Sequence, residues 1–257
     1  MPQAGDGAVK MYRNVAKVVL KGIKIKEGVA EGQQYPNAEL KLKEIFILHG
    51  HNNSKLVGAN GAEWGSTMMD GSYGNGVVSD VYTKYLEDVS ETDKIFNYIQ
   101  DPTSNYVYEP TFVSVFDDVT VSKTEAYAPK DMKTFYPYEN TSGEDGIQTL
   151  LVIKGDFSYD GIKSGDSEPS RITESNRYYS FAIGNTGTVS EKVPTDFVGL
   201  RADDKIHGVM RNLQYNTTIT VTGPGYKTPV GPKYDETFLD VKVEVVPFGE
   251  VDQDVEI

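Results

Sequence analysis

Tyr215-Asn216-Thr217-Thr218-Ile219-Thr220-Val221 decides the fold class. Tyr215, Thr217, Ile219 and Val221 fall on one side of an extended chain, and Asn216, Thr218 and Thr220 fall on the other. That period of two belongs to a strand with one buried and one wet face. The pattern returns at Leu239, Val241, Val243 and Val245, alternating with Asp240, Lys242 and Glu244. A Gly/Pro-rich loop over 223–232, opening with Gly223-Pro224-Gly225, separates the two runs and carries turn chemistry.

The same logic extends toward the N-terminus. Ala16, Val18 and Leu20 alternate onto one face of a strand expected over about Lys10 to Lys26. After Gly22 the apolar parity switches to Ile23 and Ile25, and a one-residue phase slip at a glycine predicts a β-bulge. Leu40, Leu42 and Ile45 to Leu48 predict a second strand, ending at the turn residues Gly50–Asn53. Further strands are expected near Tyr106–Phe116, Thr149–Ile153 and Tyr178–Ile183, with turns at 142–146 and 160–166. Residues 57–77, rich in Gly, Asn and Ser, predict a long surface excursion. Ser79 is placed to cap a short helix, because Val81, Tyr82, Tyr85, Leu86 and Val89 make one helical stripe. A second short helix is expected after Thr92, through Ile95, Phe96 and Ile99. Roughly eight to ten strands with frequent turns predict an all-β sandwich with one or two short helices in insertions.

The 257 residues suffice to bury a core without disulfides or metals. At 38% hydrophobic and 25% charged residues, the composition is that of a folded chain. Seventeen Tyr against a single Trp favour pleated, half-buried surfaces. A formal net charge of -13 repels nucleic acid and anionic membranes, so neither is an expected partner. There is no Cys, which excludes thiolate metal sites and Cys nucleophiles from this sequence.

Catalytic patterns are absent from the sequence: no GxSxG elbow, no P-loop and no dinucleotide fingerprint occurs. His49 and His51 would share a strand face, yet with only His207 besides they are expected to be exposed turn residues rather than metal ligands. Asp117–Asp118 and Asp203–Asp204 lie outside any calcium-loop pattern, so solvated surface is expected there. No catalysis, cofactor or metal is expected. Trp64 and Tyr73, in the glycine-rich excursion, are candidate sugar-stacking contacts or aromatics packed under the loop.

The tail 248–257 alternates strictly. Val251, Gln253, Val255 and Ile257 share one side, and Asp252, Asp254 and Glu256 the other. It is either a last strand of the chain's own sheet or a strand offered to another molecule, with the carboxylates discouraging promiscuous edge pairing.

Four stretches resemble the Bacteroidales type V fimbrillins, the fimbrial subunits of oral and gut anaerobes. They are Tyr12–Leu20; Phe135–Asn140 with Thr149–Gly155 and Tyr178–Ile183; Arg211–Gly225; and Val243–Ile257. Two departures stand out: Asn212–Leu213 replaces the family's usual Asn-His pair, and Phe248 stands where Trp is frequent. The resemblance implies a transthyretin-like β-sandwich of the C-terminal-domain type over 1–247, followed by a donor-strand tail over 248–257. It implies a structural subunit of a surface fimbria, exported by a lipoprotein route. A surface protease removes an N-terminal strand, and the emptied groove takes the C-terminal strand of a neighbouring subunit. By that likeness Val251, Gln253, Val255 and Ile257 are donor positions and the partners are other fimbrial subunits. An adhesin or carbohydrate-binding module at the fimbrial tip, meeting surface glycans or proteins, is the alternative. The family's N-terminal sandwich and its acceptor groove are expected to be missing from this chain.

Overall fold

The two alternating runs are neighbours in one sheet. Leu213–Val221 and Leu239–Pro247 pair antiparallel without a register shift, from Leu213↔Pro247 to Val221↔Leu239. The computed structural model describes residues 15–26, 35–50, 111–128, 133–140, 148–184, 188–189, 208–227, 229 and 239–248. Among the described residues the chain forms nine strands and no helix. They are β1 (Lys17–Ile25), β2 (Glu39–Leu48), β3 (Thr111–Ser122), β4 (Lys133–Phe135), β5 (Leu150–Gly161), β6 (Ser170–Ala182), β7 (Thr188–Val189), β8 (Leu213–Val221) and β9 (Leu239–Pro247). One sheet has the order β4-β1-β8-β9-β7, the other β3-β2-β5-β6. The helical stripe at 81–99 lies outside the described residues.

β1 lies parallel to β8, and its register shifts between Leu20 and Gly22, leaving Lys21 as the extra residue. The bulge keeps Ala16, Val18 and Leu20, then Ile23 and Ile25, buried on one face despite the change of parity. The second sheet carries a larger version of the device. Lys43 is an extra residue in β2, and β6 carries an extra residue opposite Asp156 of β5. One side-chain knot fills the line. Lys43 Nζ reaches Asp156 Oδ1 at 2.7 Å and Asn176 Oδ1 at 3.0 Å, and the Asn176 amide donates to Asp156 Oδ1 at 2.8 Å. Burial works against the Asp156 carboxylate, but Lys43 and the Asn176 amide outweigh it and hold its pKa below the ordinary value.

Leu20, Ile23, Tyr215, Ile219 and Val245 of the first sheet pack with Leu42, Ile47, Ile153 and Phe181 of the second in one buried cluster. The fold is therefore the all-β sandwich expected. The other face of the second sheet is divided by the bulge line. On one side lie exposed or half-exposed Glu39, Lys41, Asp160 and Arg171. On the other, Phe46, Leu48, Leu150, Val152 and Ala182 are buried although they stand outside the inter-sheet cluster. β2 ends beside this patch, and β3 starts opposite Ile47.

Several strands differ in length from the sequence expectation. β3 runs to Ser122, beyond the expected Phe116, because a bulge at 116–118, with Asp118 at φ 53°, lets pairing with β2 resume. β6 begins at Ser170, eight residues before its apolar part, because as an edge strand its polar half needs only main-chain pairing with β5. The turn at 160–166 forms as expected, with Gly165 at φ 96°, whereas 142–146 lies outside the described residues.

Candidate functional site at the root of the C-terminal tail

β9 ends at Pro247, and the next residue is docked on the body. The Phe248 amide donates to the Asn212 carbonyl at 3.0 Å. Its ring stacks on Tyr136 with centroids 5.9 Å apart and 22° between planes. Lys17 Nζ lies 5.4 Å from the Phe248 centroid on a cation–π path. Tyr136 is 44% exposed, one of the few large apolar side chains open to solvent among the described residues.

Beneath this stack is a buried polar network. Arg211 Nε donates to Glu139 Oε2 at 3.0 Å, with the two side chains 2% and 0% exposed. Burial raises the Glu139 pKa above the carboxylate range, while Arg211 opposes the rise. Asn140 pairs its main chain with Val209 at 2.7 Å in both directions. Its Nδ2 donates to Thr149 Oγ1, whose hydroxyl donates to the His49 carbonyl, each at 3.0 Å. Asn212 takes the left-handed conformation, φ 64°, and its amide donates to the Val15 carbonyl. Tyr215 Oη donates to the Gly208 carbonyl and accepts from the Met210 amide. Gly184 completes the packing: at φ 91°, a Cβ there would stand 1.9 Å from the Gly208 carbonyl oxygen.

His49 is not the exposed turn residue expected. It is fully buried at the end of β2, and burial pushes its pKa down to about 4 against a hydrogen bond with the Gln148 backbone. Deep desolvation keeps the ring neutral, which suits a structural role. His51, His207 and Asp203–Asp204 lie outside the described residues. Asp117 and Asp118 are solvated as expected, Asp118 pairing with Lys41 at the surface. Among the described residues no cluster of three or more His, Asp or Glu could hold a metal. Val251, Gln253, Val255, Ile257, Trp64 and Tyr73 lie outside the described residues.

Lys17, Tyr136, Glu139 and Arg211 were not singled out by sequence reasoning. A signal existed, however. The four family-like stretches meet here: Val15 and Lys17 from the first, Tyr136, Glu139, Asn140 and Thr149 from the second, Arg211 and Asn212 from the third, and Phe248 from the last. The chemistry available is that of a rigid mount, which fixes Phe248 against the sandwich.

No family model matches the chain. It is 27% identical over 192 residues to the major fimbrium subunit FimA type-5 of Porphyromonas gingivalis, an alignment covering 69% of this chain and 42% of that protein. Two candidate cell adhesion proteins of Parabacteroides distasonis share its fold. One has a TM-score of 0.53 and 23% identity, covering 93% of this chain and 60% of that one. The other has a TM-score of 0.51 and 17% identity, covering 94% and 54%. The chain thus spans less than two thirds of the length of each of these three proteins. The sequence match and the convergence of the four stretches on one end of a two-sheet sandwich together make the chain similar to the fimbrillins of the Bacteroidales.

Proposed function

We propose that the chain is a structural subunit of a cell-surface fimbria that polymerises by donating residues 251–257 to a neighbouring subunit. The relationship to a major fimbrium subunit supports the fimbrial part. The observation that carries strand donation is the tail root. β9 already has β8 along its length and β7 at its far side, and Phe248 is pinned two residues before the alternating segment begins. Val251, Gln253, Val255 and Ile257 then fill pockets of a recipient groove, with main-chain ladder bonds giving affinity. Burial of Val251, Val255 and Ile257 contributes about 1.5–3 kcal/mol each before ordering costs. The contact is heterologous and does not close, so it builds a filament without a cofactor or any catalysis. Export through a lipoprotein route accompanies this reading.

Deleting 249–257 is the test, run in assembly with a groove-bearing fimbrial subunit as recipient. The shortened protein keeps its thermal transition and forms no filaments by electron microscopy. Filaments of normal length from this deletant contradict strand donation.

A second reading, adhesion at a fimbrial tip, is favoured by the cell adhesion role named for the two structural relatives. Trp64 and Tyr73 are its contact residues. Saturable glycan-array binding that disappears in Trp64→Ala supports it, and an array without any binding counts against it.

A further inference from the structure

From the position of Phe248 we infer that Tyr136, Phe248 and Lys17 form a second subunit contact, a rim patch that abuts the subunit accepting the tail. The inference rests on strand donation and deepens it. Its argument is one of length. Only Gly249 and Glu250 separate Phe248 from Val251, the first donor position. Three Cα–Cα steps reach about 10 Å at full extension. A recipient groove that holds Val251 therefore comes within about 10 Å of the Phe248 Cα, and the donor surface around Phe248 faces the recipient.

That surface has the make-up of an interface centre. Tyr136 is 44% exposed, and its ring is already ordered by stacking on Phe248, so little side-chain freedom is lost when a partner covers it. Aromatic side chains of this kind dominate interface energetics. Lys17 adds a cation beside the pair. The partner it fits is a second fimbrial subunit whose groove rim is apolar opposite Tyr136 and carboxylate-bearing opposite Lys17. The buried network below, Arg211–Glu139 with Asn212, keeps the patch fixed relative to the tail.

The test uses the full-length protein in filament assembly with a groove-bearing fimbrial subunit, with the 249–257 deletant alongside. Tyr136→Ala is expected to leave the monomer's thermal transition in place and raise the concentration needed for filament growth about tenfold. Lys17→Glu is expected to weaken assembly less, with a loss that shrinks at high salt. A flexible spacer of about six Gly/Ser residues after Phe248 removes the length constraint, and Tyr136→Ala then has little further effect. Photo-crosslinking covers the case of a misfolded variant. p-Benzoylphenylalanine at position 136 captures the neighbouring subunit in filaments, whereas the same group at position 162, 60% exposed in the hairpin at the opposite end of β5, does not. If the deletant fails to assemble but Tyr136→Ala assembles normally and position 136 gives no crosslink, the rim contact is wrong and strand donation stands. If the deletant assembles, strand donation falls and the rim contact with it.

Discussion

The two ends of the sandwich hold arginine–carboxylate groups of the same chemistry in opposite surroundings. At the hairpin end Arg171 bonds Glu39 and Asp160, all three side chains at least one third exposed. At the tail end Arg211 bonds Glu139 with both side chains essentially sealed. Water shares the load at the first site, so the ions order a surface and little more. At the second, each ion depends on the other and on neighbouring main chain, because an unpaired buried charge is costly. The difference shows where the fold demands one geometry. It is the end where Phe248 docks.

The largest effect is expected from Arg211→Met. It strands Glu139 in the interior and destabilises by about 3–5 kcal/mol in urea unfolding, with partial recovery in the double variant that also carries Glu139→Gln. Full stability in the single variant means the buried network does not hold the tail root.

The pH dependence sharpens the contrast. The His49 pKa is lowered to about 4 in the folded state against an ordinary 6.5. Above pH 6.5 the ring is neutral in both states and its contribution is intact. As the pH falls from 6.5 to about 4 the unfolded chain takes up a proton that the folded one refuses, and stability drops by about 3 kcal/mol in all. Glu139 has the opposite sign. Its raised pKa lets the folded state bind a proton before the unfolded one, so its protonation favours folding. Unfolding of wild type and His49→Leu from pH 4 to 7 separates the two: the variant loses the steep acid fall and keeps the Glu139 slope.

The smallest effect belongs to the hairpin end. Arg171→Ala is expected to cost less than about 1 kcal/mol, and the cost shrinks in high salt. A loss comparable to that of Arg211→Met erases the distinction between the ends.

Much of the fold was legible because the core strands carry a period of two. Tyr215 to Val221, Leu239 to Val245 and the phase slip at Gly22 all appear in the structure as the alternation implies. β6 was half legible, since its edge position lets Ser170–Arg177 pair with Ile172 as its one apolar side chain, too few to show a period. β4 and β7, of three and two residues, are too short to show a period. The polar mount at the tail root was hidden for a different reason. Arg211, Glu139 and His49 look like surface residues in a list, and burial comes from contacts with residues far away in sequence. Only the resemblance of the four stretches marked the place, without saying that they meet.

Hydrogen exchange of residues 251–257 in the monomer and in the filament decides whether the tail is donated. Fast exchange of these amides is expected in the monomer and strong protection once subunits are joined. Equal protection in both states contradicts donation, since the segment would then already have its hydrogen-bond partners within its own molecule.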